Sequence, residues 1–300
     1  MASAPPSREL DSTQSVPEEE TSCSAHSTSR GPAEAKYLVE PHFSDFWAQL
    51  ALDIVERTAW KVERFDSFTS LDAFFEDVRH YPFGEERIRM KQRRNAALRL
   101  RSKPKLWSAL VFAAFRELAS DSPGHAVATL AHSGLLVAFK DFAIHTHYFQ
   151  VTRKLMESAG VTVSITANAS SCIHDIDKLD PIMLTGYSER WEDARDTALW
   201  HVCVDSHFAL NTHHQQNELW HSEDCDDKEK KCWKAMPELL CDKVSRKLQK
   251  DLNGIVSPEM WSVETQFYLG MPKAWLERTR HLAEQMAEGT PTAGSPDIMM

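Results

Sequence analysis

Apolar residues along this chain recur at intervals of three and four, and runs that alternate apolar with polar are scarce, which predicts helices rather than strands. Phe43, Phe46, Trp47, Leu50, Ile54 and Val55 mark a first helix, with Ser44 as a cap near its start. Leu71, Phe74, Phe75 and Val78 mark a second, broken at Tyr81-Pro82-Phe83-Gly84. Pro104 makes a joint before an apolar helix over 106–118. Beyond the turn Ser122-Pro123-Gly124, the series Val127, Leu130, Leu135, Phe139, Phe142 and Ile144 predicts one or two helices running through His145-Thr146-His147 to a stop at Gly160. The stretch 161–171 alternates weakly at Val161, Val163 and Ile165, and a loop serves it equally well. Helix is expected again from Ser170 or Ser171 to Asp180-Pro181, irregular chain over 187–191, and helix over 196–210. After an acidic and basic insert at 222–231, Pro237 suits the first turn of a helix that Asn253-Gly254 stops. The expected fold class is therefore all-α, a helical bundle without internal repeats.

Composition adds the boundaries. Residues 1–36 are rich in Ser, Pro, Glu and Thr and poor in large apolar side chains, so they are expected to form a disordered tail. A helical extension is expected over 37–125, a second helical region carrying the chemistry over 126–288, and a frayed end over 289–300. The net charge of −10 argues against nucleic acid as a partner. The basic run from Arg87 to Lys105 accordingly reads as a solvated helix face balancing the acidic excess, not as a phosphate or nucleic-acid site. No apolar run reaches the roughly 18 residues of a membrane span. Six cysteines without a CxxC pair fit reduced thiols in the cytoplasm, with the nucleus as the alternative.

The chemistry concentrates between His174 and His214. His174-Asp175 opens the stretch, His207, Asn211 and His214 follow at helical spacing, and Glu238 and Asp242 stand one turn apart downstream. Imidazole nitrogens and carboxylate oxygens projecting from several helices suit a divalent metal such as Mn, Fe, Mg, Co, Ni or Zn. On the upstream helix, Val151 and Leu155 follow His147 at intervals of four, which places His147 on the inward stripe. His147, His174, Asp175, His207, His214 and Asp242 would make six nitrogen and oxygen ligands, enough for two ions sharing a carboxylate. Hydrogen-bonded core histidines satisfy the same spacing, so periodicity leaves both readings open.

His174-Asp175, with a histidine before it and an aspartate well after it, resembles the HD-domain superfamily of helical metal-dependent phosphohydrolases. The ordered series His147-Tyr148-Phe149-Gln150-Val151, Ile173-His174-Asp175-Ile176-Asp177-Lys178-Leu179, His207 with Asn211-Thr212-His213-His214, and Met236-Pro237-Glu238 with Asp242 is similar to the uncharacterised family called domain of unknown function 5662. The similarity covers about residues 130–270, and departs from the family at Asp177, Thr212 and Lys243. An HD-like bundle would use His147, His174, Asp175 and Asp242 as metal ligands, with His207, His213 and His214 as further ligands or phosphate donors. It would use Lys178 to hold a phosphate and Glu238 as general base. The resemblance thus implies a metal-dependent hydrolase of a phosphorylated small molecule or nucleotide. Two other readings stand beside it: a two-iron oxygenase of the HD type, and a non-catalytic helical module with a structural metal.

Overall fold

The computed structural model describes residues 85–119, 124–166, 173–221 and 227–290. The tail expected at 1–36, the helices expected around Trp47 and Phe74, and the last ten residues lie outside the described residues. Among those described there is no strand. The periodic segments form α1 (Glu85–Arg101), α2 (Pro104–Ala119), α3 (His125–His132), α4 (Leu136–Ser158), α5 (Pro181–Trp191), α6 (Ala198–Leu210), α7 (Glu218–His221), α8 (Lys228–Lys250) and α9 (Lys273–Gly289). Short 3₁₀ turns at Ile176–Leu179, Pro258–Trp261 and Thr265–Tyr268 join them. None of these helices is long and apolar enough to cross a membrane.

Local chemistry sets the helix ends. The Asp180 carboxylate accepts from the Ile182 N–H at 2.7 Å, and Pro181, which has no N–H to satisfy, fills the first position of α5. Thr197 caps α6 by accepting from the Trp200 N–H at 3.1 Å. The Glu117 carboxylate on α2 reaches across to the free N–H groups of Gly124, Ala126 and Val127 at the start of α3. Gly160, at φ 82°, follows α4 where a left-handed residue is needed.

Two apolar cores result. The first gathers Trp107, Phe115, Leu130, Phe139, Phe142, Leu179, Met183 and Leu199 from α2 to α6. The second gathers Phe149, Met156, Trp220, Leu239, Leu240, Val244, Trp261 and Trp275 from α4 and α7 to α9. On α4 the first core ends at Ala143 and the second begins at Tyr148. His145 lies in the gap, facing α8, which packs along α4.

Four expectations need correction. The run 187–191 is helical, because Tyr187 packs edge-on against both Trp191 and Trp200 and so fastens α5 to α6. Pro237 does not start α8 but sits inside it, where burial of Met236, Leu239 and Leu240 offsets the missing hydrogen bond. The segment after Ile173 is no helix, because Asp175 takes the left-handed conformation at φ 58° and admits only a single 3₁₀ turn. The basic run is not wholly solvated. Arg93 and Arg94 are buried, Arg93 paired with Glu192 and Asp193, and Arg94 with Glu189, whose carboxylate also accepts from Thr197 Oγ1 at 2.7 Å.

Candidate metal centre

Aspartate is one of the few non-glycine residues that enters the left-handed region at modest cost, and doing so lets Asp175 turn its carboxylate into the gap between the two cores. The next turn carries Lys178 back over it, and Nζ donates to Asp175 Oδ2 at 2.6 Å. The other oxygen, Oδ1, is buried with no hydrogen-bond partner among the described residues. Around it stand His174 Nε2 at 3.4 Å, His213 Nε2 at 3.4 Å and His207 Nε2 at 3.5 Å. A buried anionic oxygen encircled by imidazole nitrogens at ion-pair distance is an environment that protonated imidazole or a metal cation would satisfy.

The donor set extends in two directions from Asp175. On one side His145 Nε2 and His174 Nε2 lie 3.0 and 3.3 Å from Asp242 Oδ1. On the other, His207 Nε2 and His214 Nε2 face each other at 2.8 Å. His145, His174, Asp175 and Asp242 form one group with donor atoms close enough to hold a metal ion, and Asp175, His207 and His214 form a second. All are buried.

His174, His213 and His207 each have a carboxylate behind the ring, at Nδ1. Glu238 Oε1 lies 3.1 Å from His174 Nδ1 and 3.3 Å from His213 Nδ1, while Oε2 accepts from the Thr166 N–H at 2.7 Å and its hydroxyl at 2.5 Å. Asp177 Oδ2 lies 2.7 Å from His207 Nδ1, and Oδ1 accepts from Asn211 Nδ2 at 3.0 Å. With the Nδ1 proton pointed at a carboxylate, the Nε2 lone pair is free for a metal. Phe149 fixes the plane of His174 by stacking on it at 3.9 Å and 9°.

Electrostatics in the metal-free chain fit this picture. Burial would raise the Asp175 carboxyl, but His174, Lys178 and His207 hold it well below the usual range. Burial would likewise raise Asp242, yet Lys243, His145 and His174 hold it well below. Against the pull of burial, Glu238 and Asp175 push His213 up to about 10. His145 is driven the other way, to about 3, by burial and by Arg246. Burial also lowers His207 and His214. Protonated imidazole and Lys178 thus supply part of the positive charge the buried carboxylates need, and neutral imidazoles stand beside them as donors.

The structure brings together His174, Asp175, His207, His214, Asp242, Glu238 and Lys178. It does not bring in His147. Residues two apart on a helix point about 200° apart, so only one of His145 and His147 can face α8. The fully buried stripe is Phe142, His145, Phe149, Thr152 and Met156, whereas His147, Val151 and Leu155 lie half-buried on its flank. The signal that would have found His145 is its spacing from Phe142 and Phe149. Glu238, expected as a general base, is fully buried, with Oε2 held by Thr166 and Oε1 beside His174, and it is not among the residues lining the cavity over the cluster. His207 and His214 do not share a helix, since α6 ends at Leu210 and Asn211 caps it while the chain folds back.

A cavity of about 460 Å³ opens over one side of the cluster, lined by Lys178, His207, His214 and Asp242. The lining also includes the basic stripe of α8, Lys243, Arg246, Lys247 and Lys250, the aromatic residues Tyr187, Trp200, Phe208 and Phe267, and the acidic residues Asp251 and Glu264. The sequence reading passed over this stripe, although its i, i+3, i+4, i+7 spacing beginning one residue after Asp242 makes it one helix face. Comparison with family models, with curated proteins and with solved structures finds no match in any of the three.

Proposed function

We propose that this protein is a metal-dependent hydrolase of a phosphorylated small molecule, with Asp175 at the centre of its metal site. The observation that carries the reading is the cavity: it joins the buried histidine and carboxylate cluster to a wall of lysine and arginine. The similarity of the motif series to the HD-domain superfamily supports the same class. Bound divalent ions would polarise a phosphoryl oxygen and lower the pKa of water toward neutrality.

The chain's own groups do the rest. Arg246, Lys243 and Lys247 draw the anionic group toward Asp242 and the histidines, acting as charge complements. Arg246 is braced for this by Asp141 at 2.8 Å. Lys178 lines the same cavity while neutralising Asp175, so it holds the aspartate in place and presents its remaining protons to an incoming phosphate. Tyr187, Trp200 and Phe208 give the organic part of the substrate an apolar wall.

The test is elemental analysis of protein purified without a metal-chelating tag, followed by a screen of phosphorylated metabolites. Divalent metal together with phosphate release that stops on chelation is expected. Iron with an oxygen-dependent optical change would move the reading to the oxygenase class. Protein that binds no metal after exposure to Mn, Fe, Co, Ni and Zn in turn would overturn it.

A further inference from the structure

We propose that the substrate taken by the cavity is a single-chain amphiphile, an alkyl phosphate monoester whose apolar chain lies along one face of α6 while its phosphoryl group meets the basic residues of α8 nearest Asp242. The proposal rests on the hydrolase reading above and names the class of substrate that hydrolase would take.

The helix α6 carries two apolar stripes. Leu199 and Cys203, one turn apart, are buried in the first core. Trp200, Val204 and Phe208 stand one position further round, at i, i+4 and i+8, and all three line the cavity. Trp200 also packs on the first core, but Val204 and Phe208 belong to neither core. Neither does Phe267, which lines the same cavity and is 45% exposed. Three apolar side chains that fill no core and surround one cavity are suited to covering an apolar ligand. The stripe also starts at the candidate donors, because the Phe208 ring lies 4.9 Å from that of His214. From Phe208 back to Trp200 is about 12 Å along the helix, so the apolar path leads away from the cluster over the length of an extended chain.

The polar part of the lining is the second, independent observation. Among the described residues no Ser, Thr, Asn or Gln lines the cavity. A nucleobase or a sugar would bring several donors and acceptors there, and each would give up water without a neutral side chain to replace it. An alkyl chain has no such groups to satisfy. Charge belongs at one end of the ligand. Lys243 and Arg246 follow Asp242 within about one turn of α8. Further along, Lys247 and Lys250 are matched in number by Asp251 and Glu264, which leaves no surplus positive charge for a second phosphate.

The experiment titrates the full chain with ethyl, butyl, hexyl and octyl phosphate as monomers in a calorimeter, with octyl glucoside and adenosine monophosphate as comparators. Affinity should rise by about fourfold for each methylene added, until the chain outgrows the cavity. Octyl phosphate should bind at least about tenfold tighter than octyl glucoside, which lacks the charge, and tighter than the nucleotide. Val204→Asn puts an amide on the apolar stripe at a position outside both cores and should weaken octyl phosphate by about tenfold or more. A melting curve shows whether that variant folds, and the wild-type series decides the matter if it does not. A flat series, octyl glucoside binding as tightly as octyl phosphate, or the nucleotide binding tighter than both overturns the amphiphile. Phosphate release from the same esters is assayed separately on chain loaded with divalent metal. A graded series without release overturns the hydrolase reading and leaves the ligand class standing, whereas a flat series with release from other phosphate esters does the reverse.

Discussion

Replacing Glu238 by Gln changes no volume and opens no cavity, so it isolates the carboxylate's role in aiming histidines. In the wild type Oε2 accepts two hydrogen bonds from Thr166, and Oε1 faces the Nδ1 atoms of His174 and His213. An amide cannot serve both sides. If its NH₂ faces Thr166, it meets the Thr166 N–H, and a buried donor loses its acceptor at about 1–3 kcal/mol. If the oxygen faces Thr166, the NH₂ points at His174 and His213 and requires their Nδ1 atoms to accept. The imidazole proton then moves to Nε2, the nitrogen aimed at Asp175, and the lone pair a metal needs is gone. The amide also withdraws the charge that holds His213 protonated in the metal-free state. Loss of an orienting carboxylate costs about 10- to 100-fold in metal affinity, which is about 1.4–2.7 kcal/mol. Competition with a fluorescent chelator measures this directly, and a metal-free melt alongside should show Tm lower by roughly 2–4 °C per kcal/mol for a domain of this size. Thr166→Val is the control. It removes one donor to Oε2 but keeps the carboxylate and the tautomers, so its metal affinity should stay within about threefold of wild type. Glu238→Gln that binds metal as tightly as Thr166→Val refutes the tautomer argument.

Three further outcomes are expected. Gly186→Ala places a methyl 2.6 Å from Cys203 Sγ and 3.3 Å from the Leu199 carbonyl oxygen, so α5 and α6 must part at a cost of about 1–3 kcal/mol in urea unfolding; an effect below about 0.5 kcal/mol would mean the interface yields freely. Glu189→Ala removes the buried carboxylate that pairs with Arg94 and should cost about 3–5 kcal/mol, while Glu192→Ala, half-exposed beside Arg93, should cost under about 1 kcal/mol; equal losses would contradict the burial argument. In the metal-free chain the His213 pKa is raised to about 10 from an unfolded value near 6.5, so its charge contributes stability that is fully present below about pH 6.5 and is lost as pH rises toward 10. The stability deficit of His213→Asn against wild type should therefore shrink between pH 6 and pH 10, and a deficit that grows with pH would reverse the sign of the coupling.

The helical architecture was legible because burial of a 3.6-residue stripe is a local pattern: α4, α6 and the α2 segment follow directly from their apolar spacing. Chemistry within the site was legible where residue type sufficed, as at His174-Asp175, since buried carboxylates and imidazoles in one stretch need a reason to be there. The choice of His147 over His145 failed because both lie on stripes that face protein, and only the third dimension shows which stripe faces α8. Pro237 misled because its first-turn preference is a local effect that long-range packing outweighed. Arg93 and Arg94 looked solvated because their partners Glu189, Glu192 and Asp193 stand about a hundred residues away in the chain. Asp177 stood out only as a departure from the resembling family. It gained a role once the backbone turn at Asp175 had placed it behind His207.

Cys241 lies on α8 between Glu238 and Asp242, with its Sγ 3.5 Å from the Phe149 carbonyl oxygen of α4. Burial drives its thiol well above the usual range, with Asp242 and Glu238 adding to the effect. A thiol so placed is deaf to alkylating reagents until the two helices part, because neither the reagent nor the thiolate exists there in the closed chain. Its modification rate is therefore a clock for breathing of the α4–α8 seam, readable one residue at a time by peptide mass and separable from Cys203 on the α5–α6 seam.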